Sequence, residues 1–229
     1  MRYLIVNGDD FGMSRGVTEG IIDAHVHGIL TSTSMLVERA FSQAAARRAA
    51  EHPDLSVGLH VCLTREGGEE ALNFDDPASS RLGLRRQLDR FCELIGEPPT
   101  HLDAHHHVHR DPRLRPLFEE LAEELRVPLR DRSAARHLSV FYGQWKGRTH
   151  LEQISVEHLA KILRDDADQG IAELACHPGR LEPDLDSAYV APRAVELETL
   201  CSPIIRDVLD ELGVELIAFR DLARVSLEA

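Results

Sequence analysis

The chain has 229 residues, 28% of them charged and 43% hydrophobic, a globular composition that excludes a disordered or fibrous protein. Its 26 Lys and Arg stand against 39 Asp and Glu, and the resulting formal charge of -13 has the wrong sign for neutralising nucleic-acid phosphates or docking on an anionic bilayer. The length suits a single domain over residues 1–229, because α/β barrels use about 200 to 250 residues as one unit.

Short β-branched runs alternate with amphipathic helical patterns, as expected of βα units around a parallel sheet. Tyr3–Asn7 is the first expected strand. Ser14 is a candidate N-cap for a helix whose apolar spacing runs through Val17, Ile21, Ile22 and Ala24 and which Gly28 stops. Ser32–Val37 follows as a strand, Phe41–Ala50 as a helix punctuated by Pro53, and Leu55–His60 as the third strand. Polar Thr64–Ser80 reads as a loop, Leu82–Ile95 as a helix ending at Gly96, and Thr100–Asp103 as a short strand. Leu114–Leu125 is a charged amphipathic helix and Val127–Arg130 a strand, with an irregular stretch through Gly147. A helix over Val156–Asp168, a strand over Ile171–Cys176, a long helix over Arg193–Leu212 closed by Gly213 and a strand over Val214–Ala218 complete the series.

Cys62, Cys92, Cys176 and Cys201 form no CxxC pair and sit in apolar or helical stretches, so they read as thiols in a reducing cytoplasm. The first apolar run is too short for a signal peptide, and no stretch of about 18 apolar residues could span a membrane. A soluble cytoplasmic protein is expected, with a homo-oligomer as the working expectation.

In sheets and barrels of this kind, reactive groups collect past the carboxyl ends of the strands. The polar oddities of this sequence fall there. Asp9-Asp10 follows the first strand, His60 ends the third, Asp103–His109 follows the fourth, Arg130 ends the fifth and His177 follows the sixth. Of 13 histidines, five lie between His101 and His109. If that segment stays extended, Asp103, His105, His107 and His109 share one face and Ala104, His106 and Val108 the other. Imidazole is the commonest metal ligand, and a ligating ring usually donates its other N–H to a carboxylate, a role open to Asp103. Adjacent Asp9 and Asp10 read equally as a capped turn and as a pair that divides labour, one binding a metal while the other takes a proton from water. His60 alone reads more readily as a hydrogen-bonded structural residue than as a ligand. Arg193, at a helix start where a cation opposes the macrodipole, reads equally as the partner of Asp9 or another site carboxylate and as an exposed arginine. The chain has no GxGxxG, no GxxxxGK[ST] and no Gly-x-Ser-x-Gly elbow, which leaves nucleotide and serine-hydrolase chemistry without support.

The segments Ile5-Val6-Asn7-Gly8-Asp9-Asp10-Phe11-Gly12, Gly58-Leu59-His60, Thr100 to His109 and Cys176-His177-Pro178-Gly179 together resemble the YdjC-like carbohydrate deacetylases, and the match runs through essentially the whole chain. The resemblance implies an α/β fold, a distorted or incomplete (β/α) barrel. It implies removal of acetyl groups from N-acetylated sugars with one divalent metal ion. Carried over by position, it makes Asp10, His60 and His105 the metal ligands, Asp9 the general base and His177 the general acid. Asp103, His107, His109, Arg130 and Arg193 are left as substrate-binding or supporting residues. Family resemblance points to Mg2+, whereas two imidazoles suit Zn2+, Co2+ or Ni2+. An ionised Asp9 working with a protonated His177 predicts a bell-shaped pH dependence of kcat/KM. The competing readings are a barrel phosphoesterase or amidohydrolase, which would gather further metals on His107 and His109, and a non-catalytic metal-binding protein.

Overall fold

A computed structural model describes residues 2–166, 170–182, 185 and 187–226. The chain builds β1 (Arg2–Phe11), α1 (Arg15–His27), β2 (Ser32–Met35), α2 (Ser42–Ala50), β3 (Ser56–Val61), α3 (Pro77–Ile95) and β4 (Leu102–Ala104). It continues through α4 (Arg115–Leu125), β5 (Arg136–Leu138), the hairpin β6 (Gln144–Trp145) and β7 (Arg148–Thr149), α5 (Val156–Asp166) and β8 (Gly170–Cys176). The last elements are α6 (Ala191–Leu200), α7 (Pro203–Leu212), β9 (Val214–Leu216) and α8 (Leu222–Val225). The main sheet has the order β4-β3-β2-β1-β8-β5, with β9 added to β1, and every pairing in it is parallel. It is a curled, incomplete (β/α) barrel.

Helix α1 shows how local sequence sets the frame. The Ser14 side chain accepts from Val17 N–H, and Val17, Ile21, Ile22 and Ala24 are buried against the sheet. The sheet's outer face and the helices share one apolar core, in which Leu4, Val6, Leu59, Leu102 and Leu174 meet Ile21, Leu84, Phe91 and Phe118. A second cluster of Tyr3, Ile5, Ile171, Ile217, Phe219 and Leu222 closes the end where the strands begin. Apolar packing therefore plugs the barrel at one end, and the buried polar residues Asn7, Asp9, Ser34, His60, Asp103 and Glu173 occupy the interior toward the other.

Several elements depart from expectation for identifiable reasons. Strand β1 runs to Phe11, so Asp9 and Asp10 lie within it rather than on a turn beyond it. The stretch expected to be loop to Ser80 already turns helical at Pro77, because the Asp76 side chain caps Ala78 and Ser79 N–H and proline is tolerated in the first turn. Val127–Arg130 is not a ladder strand and makes one parallel bridge, Leu129 to Leu102. The irregular stretch before Gly147 contains β5, paired with β8, and the start of the hairpin. The expected long helix Arg193–Leu212 is two helices, since Pro203 supplies no N–H and begins α7 afresh. Residues 167–168, expected to end the α5 helix, lie outside the described residues. Among the described residues, no helix is long and apolar enough to cross a membrane.

Candidate active site

Strand β1 delivers two neighbouring carboxylates to one place by breaking its own alternation. In a regular strand consecutive side chains point to opposite faces. Here the register against β2 shifts between Gly8 and Phe11, and Asp10 has φ 72°, a left-handed conformation unusual for a residue other than glycine. Asp9 and Asp10 both end up buried and both line one cavity.

Asp9 is held by its neighbours. Arg130 grips it with two hydrogen bonds, Nη1 to Oδ2 at 2.7 Å and Nη2 to Oδ1 at 2.8 Å, and Asn7 Nδ2 donates to Oδ1 at 2.9 Å. The same guanidinium reaches Asp103 Oδ2 at 2.9 Å and Glu173 Oε1 at 2.6 Å, so one fully buried cation serves three carboxylates. Burial alone would raise the Asp9 pKa, but Arg130 holds it well below the usual carboxylate range. Burial pushes Glu173 upward.

Asp10 faces the other way. Arg193 Nη2 donates to its Oδ2 at 2.6 Å, the ion pair that a buried arginine at a helix start called for. Its Oδ1 receives no well-formed hydrogen bond, although His60 Nε2 is 3.4 Å away and His105 Nδ1 3.0 Å away. His60 Nδ1 pairs with Asp103 Oδ1 at 2.7 Å, which leaves Nε2 as its free nitrogen. Desolvation would lower the His60 pKa, but Asp103 and Asp10 raise it well above its ordinary value when no cation competes.

Among the described residues, two sets of three donors each bring their ligand atoms within 4.8 Å of one another, Asp10-His60-His105 and Asp9-His60-Asp103. In the second, Arg130 already neutralises both carboxylates and would repel a cation. The first is the better fit to a divalent ion. Its carboxylate oxygen is buried without a satisfied hydrogen bond, its two imidazoles converge on that oxygen, and Asp103 orients the ring of His60 from behind.

His177 follows β8, with its Nε2 3.9 Å from Asp9 Oδ2. Burial lowers its pKa to about 4, so the ring is neutral near pH 7 rather than carrying the proton expected of a resting acid. Its backbone N–H donates to Glu196 Oε2 at 2.5 Å, and desolvation lifts that buried carboxyl to about 7.

The histidine cluster does not stay extended. Residues His105–Arg110 form a 3-10 turn in which His106 and His107 have φ 53° and 52°. His105, His106 and His107 therefore all line the cavity, and His106, expected on the far face, bonds Thr64 Oγ1 at 2.8 Å. His109 turns away. It is buried with its Nε2 3.0 Å from Asp131 Oδ2, and Asp131 in turn accepts from Arg110 Nε at 2.7 Å. Glu173 and Glu196 were missed by motif reading; the lone acid inside the apolar run Ile171–Cys176 was a usable signal for Glu173, whereas Glu196 sits in a charged helix and had none.

The cavity measures about 540 Å3, with Asp9, Asp10, His60, His105 and His177 among its lining, Arg110 and His137 on one wall and Tyr142 and Tyr189 on another. An incomplete (β/α) barrel whose strand ends converge on such a donor set and a buried Asp–His pair defines a fold with a centre able to hold a metal ion. The chain belongs to the YdjC-like family, whose model matches residues 3–211. It is 34% identical to a carbohydrate deacetylase of Geobacillus stearothermophilus, over 98% of this chain and 99% of that one. It is also 34% identical to a chitooligosaccharide deacetylase of Serratia marcescens, over 96% and 99% of the two chains. Among solved structures, an Enterococcus faecalis protein named provisionally for cellobiose-phosphate cleavage superposes with a TM-score of 0.84 at 26% identity, covering 96% of this chain and 98% of that one.

Proposed function

We propose that this chain is a metal-dependent hydrolase that removes the acetyl group from N-acetylated sugars, with oligomers of N-acetylglucosamine as its substrate class. The observation that carries the reading is the Asp10-His60-His105 donor set lying beside the Asp9–His177 pair in one cavity. The names of the relatives support the substrate class.

Asp10, His60 and His105 would hold a single divalent ion, which when bound supplies a Lewis acid for the acetamide carbonyl and lowers the pKa of water. Two imidazoles and one carboxylate suit Zn2+, Co2+ or Ni2+ better than Mg2+. The remaining chemistry falls to the chain's own groups. Asp9, fixed by Arg130 and Asn7, keeps a carboxylate ready to accept the proton of the attacking water. His177, neutral at rest, must receive its proton during turnover, and Asp9 Oδ2 at 3.9 Å is the relay. The proton lost by the water thus reaches the departing amine nitrogen while the water oxygen completes acetate. An amine leaves poorly without that proton. Arg193 keeps Asp10 ionised and aimed, and Asp103 does the same for His60.

Four free cysteines favour a cytoplasmic location. The test of function is acetate release from N-acetylglucosamine, diacetylchitobiose and longer oligomers across Zn2+, Co2+, Ni2+ and Mg2+. Release with at least one metal, dependent on Asp9 and His177, is expected. Silence across the whole panel overturns the reading, and more than one bound ion per chain favours the phosphoesterase alternative.

A further inference from the structure

One wall of the cavity takes no part in the chemistry above. Tyr142 and Tyr189 stack with ring centroids 4.7 Å apart and planes 7° from parallel. Tyr189 is buried and fixed twice, its hydroxyl accepting from Gly143 N–H at 2.7 Å and donating to Glu196 Oε1 at 2.5 Å. Tyr142 rests on this base, remains 40% exposed, and sets its ring centroid 5.6 Å from that of His177. Glu196 joins the two halves, because its other oxygen accepts the His177 backbone N–H.

An exposed aromatic ring held rigid in the wall of a cavity, beside Leu138 and Phe141, is hydrophobic surface kept for a flat partner with an apolar face. A pyranose ring presents such a face of C–H groups and carries its hydroxyls at the rim. We infer that Tyr142 is the stacking platform for the sugar ring that bears the acetamide. Through Tyr189 and Glu196 the platform is tied to the backbone of His177, so stacking also sets the distance between the departing nitrogen and the imidazole. The inference rests on the reading of this cavity as a site for an N-acetylated sugar.

The experiment compares wild type with Tyr142→Ala, Tyr142→Phe and Tyr142→Trp, all zinc-loaded, with zinc content and melting temperature checked for each. Diacetylchitobiose is the probe, read by steady-state kinetics and by saturation-transfer NMR for binding. Tyr142→Ala should raise KM and the NMR Kd about tenfold, the size of one good aromatic contact, with a smaller effect on kcat. Phe and Trp should restore the lost affinity, since both keep a ring. If Tyr142→Ala binds like wild type while acetate is still released, the platform is overturned and the deacetylase reading survives. If binding depends on the Tyr142 ring but wild type releases no acetate, the platform stands and the reaction assignment fails. Absence of binding by wild type overturns the platform.

Discussion

Arg130 offers the most demanding test of how the site is held together. Arg130→Met removes the guanidinium shared by three buried carboxylates, those of Asp9, Asp103 and Glu173, and leaves them mutually repelling in a water-poor interior. Removing one partner of a buried pair costs about 3–5 kcal/mol. At about 2–4 °C per kcal/mol for a chain of this size, the melting temperature should fall by about 6–20 °C. The sign with pH is also set. In wild type the folded-state pKa values of Asp9 and Asp103 are depressed, so their stabilisation is complete above the unfolded carboxylate range and is lost only as pH falls toward it. In the variant those values rise above their unfolded counterparts, so the destabilisation is greatest at high pH and is relieved as the carboxyls take up protons. Thermal unfolding of the chelator-treated proteins should show the gap between variant and wild type narrowing from about pH 7.5 to about pH 5.5. A variant melting within about 2 °C of wild type at the higher pH, or a gap that widens on acidification, would refute the idea that Arg130 neutralises the interior.

Three further outcomes follow from the geometry. Asp103→Asn, which removes no ligand, should weaken metal binding by about 10- to 100-fold in calorimetric titration through loss of the carboxylate behind His60; unchanged affinity would show that Asp103 does not orient that ring. In the proposed relay His177 must be unprotonated to receive the proton, so kcat/KM should rise with pH as His177 loses its proton near pH 4, and a profile that instead declines from pH 4 upward would assign it as a pre-protonated acid. Gly20→Ala would place a Cβ 2.4 Å from Gly179 Cα, forcing α1 away from the turn after His177. It should cost about 1–3 kcal/mol in urea unfolding and lower kcat while sparing metal affinity, and a fully active, fully stable variant would show that the turn has slack.

Much of the fold was legible because its signals were local. Ser14 beside a periodic apolar face fixes the start of α1, and alternating strand and helix patterns define the barrel class. The Asp76-Pro77 start of α3 and the Ser202-Pro203 break before α7 were also present in the sequence, but amphipathic periodicity running through or beyond them outweighed the punctuation. The site was legible as residue types at strand ends and not as a geometry. Paired positive φ at His106 and His107 has no propensity signal, so the extended pattern gave the wrong face to His106 and the wrong direction to His109. Two of the three partners of Arg130 lie 43 and 121 positions away, at Glu173 and Asp9, and only the curled sheet brings them together.

The segment between β5 and α5 carries Ser139, Phe141, Tyr142 and Gln144 into the cavity, yet contributes none of the Asp10-His60-His105 donors and nothing to the Arg130 network. Recognition and reactivity are thus written on different stretches of chain. Insertions or exchanges in that one segment leave the proposed metal donors and proton relay untouched, so the shape of the pocket is free to vary independently of its reactive end.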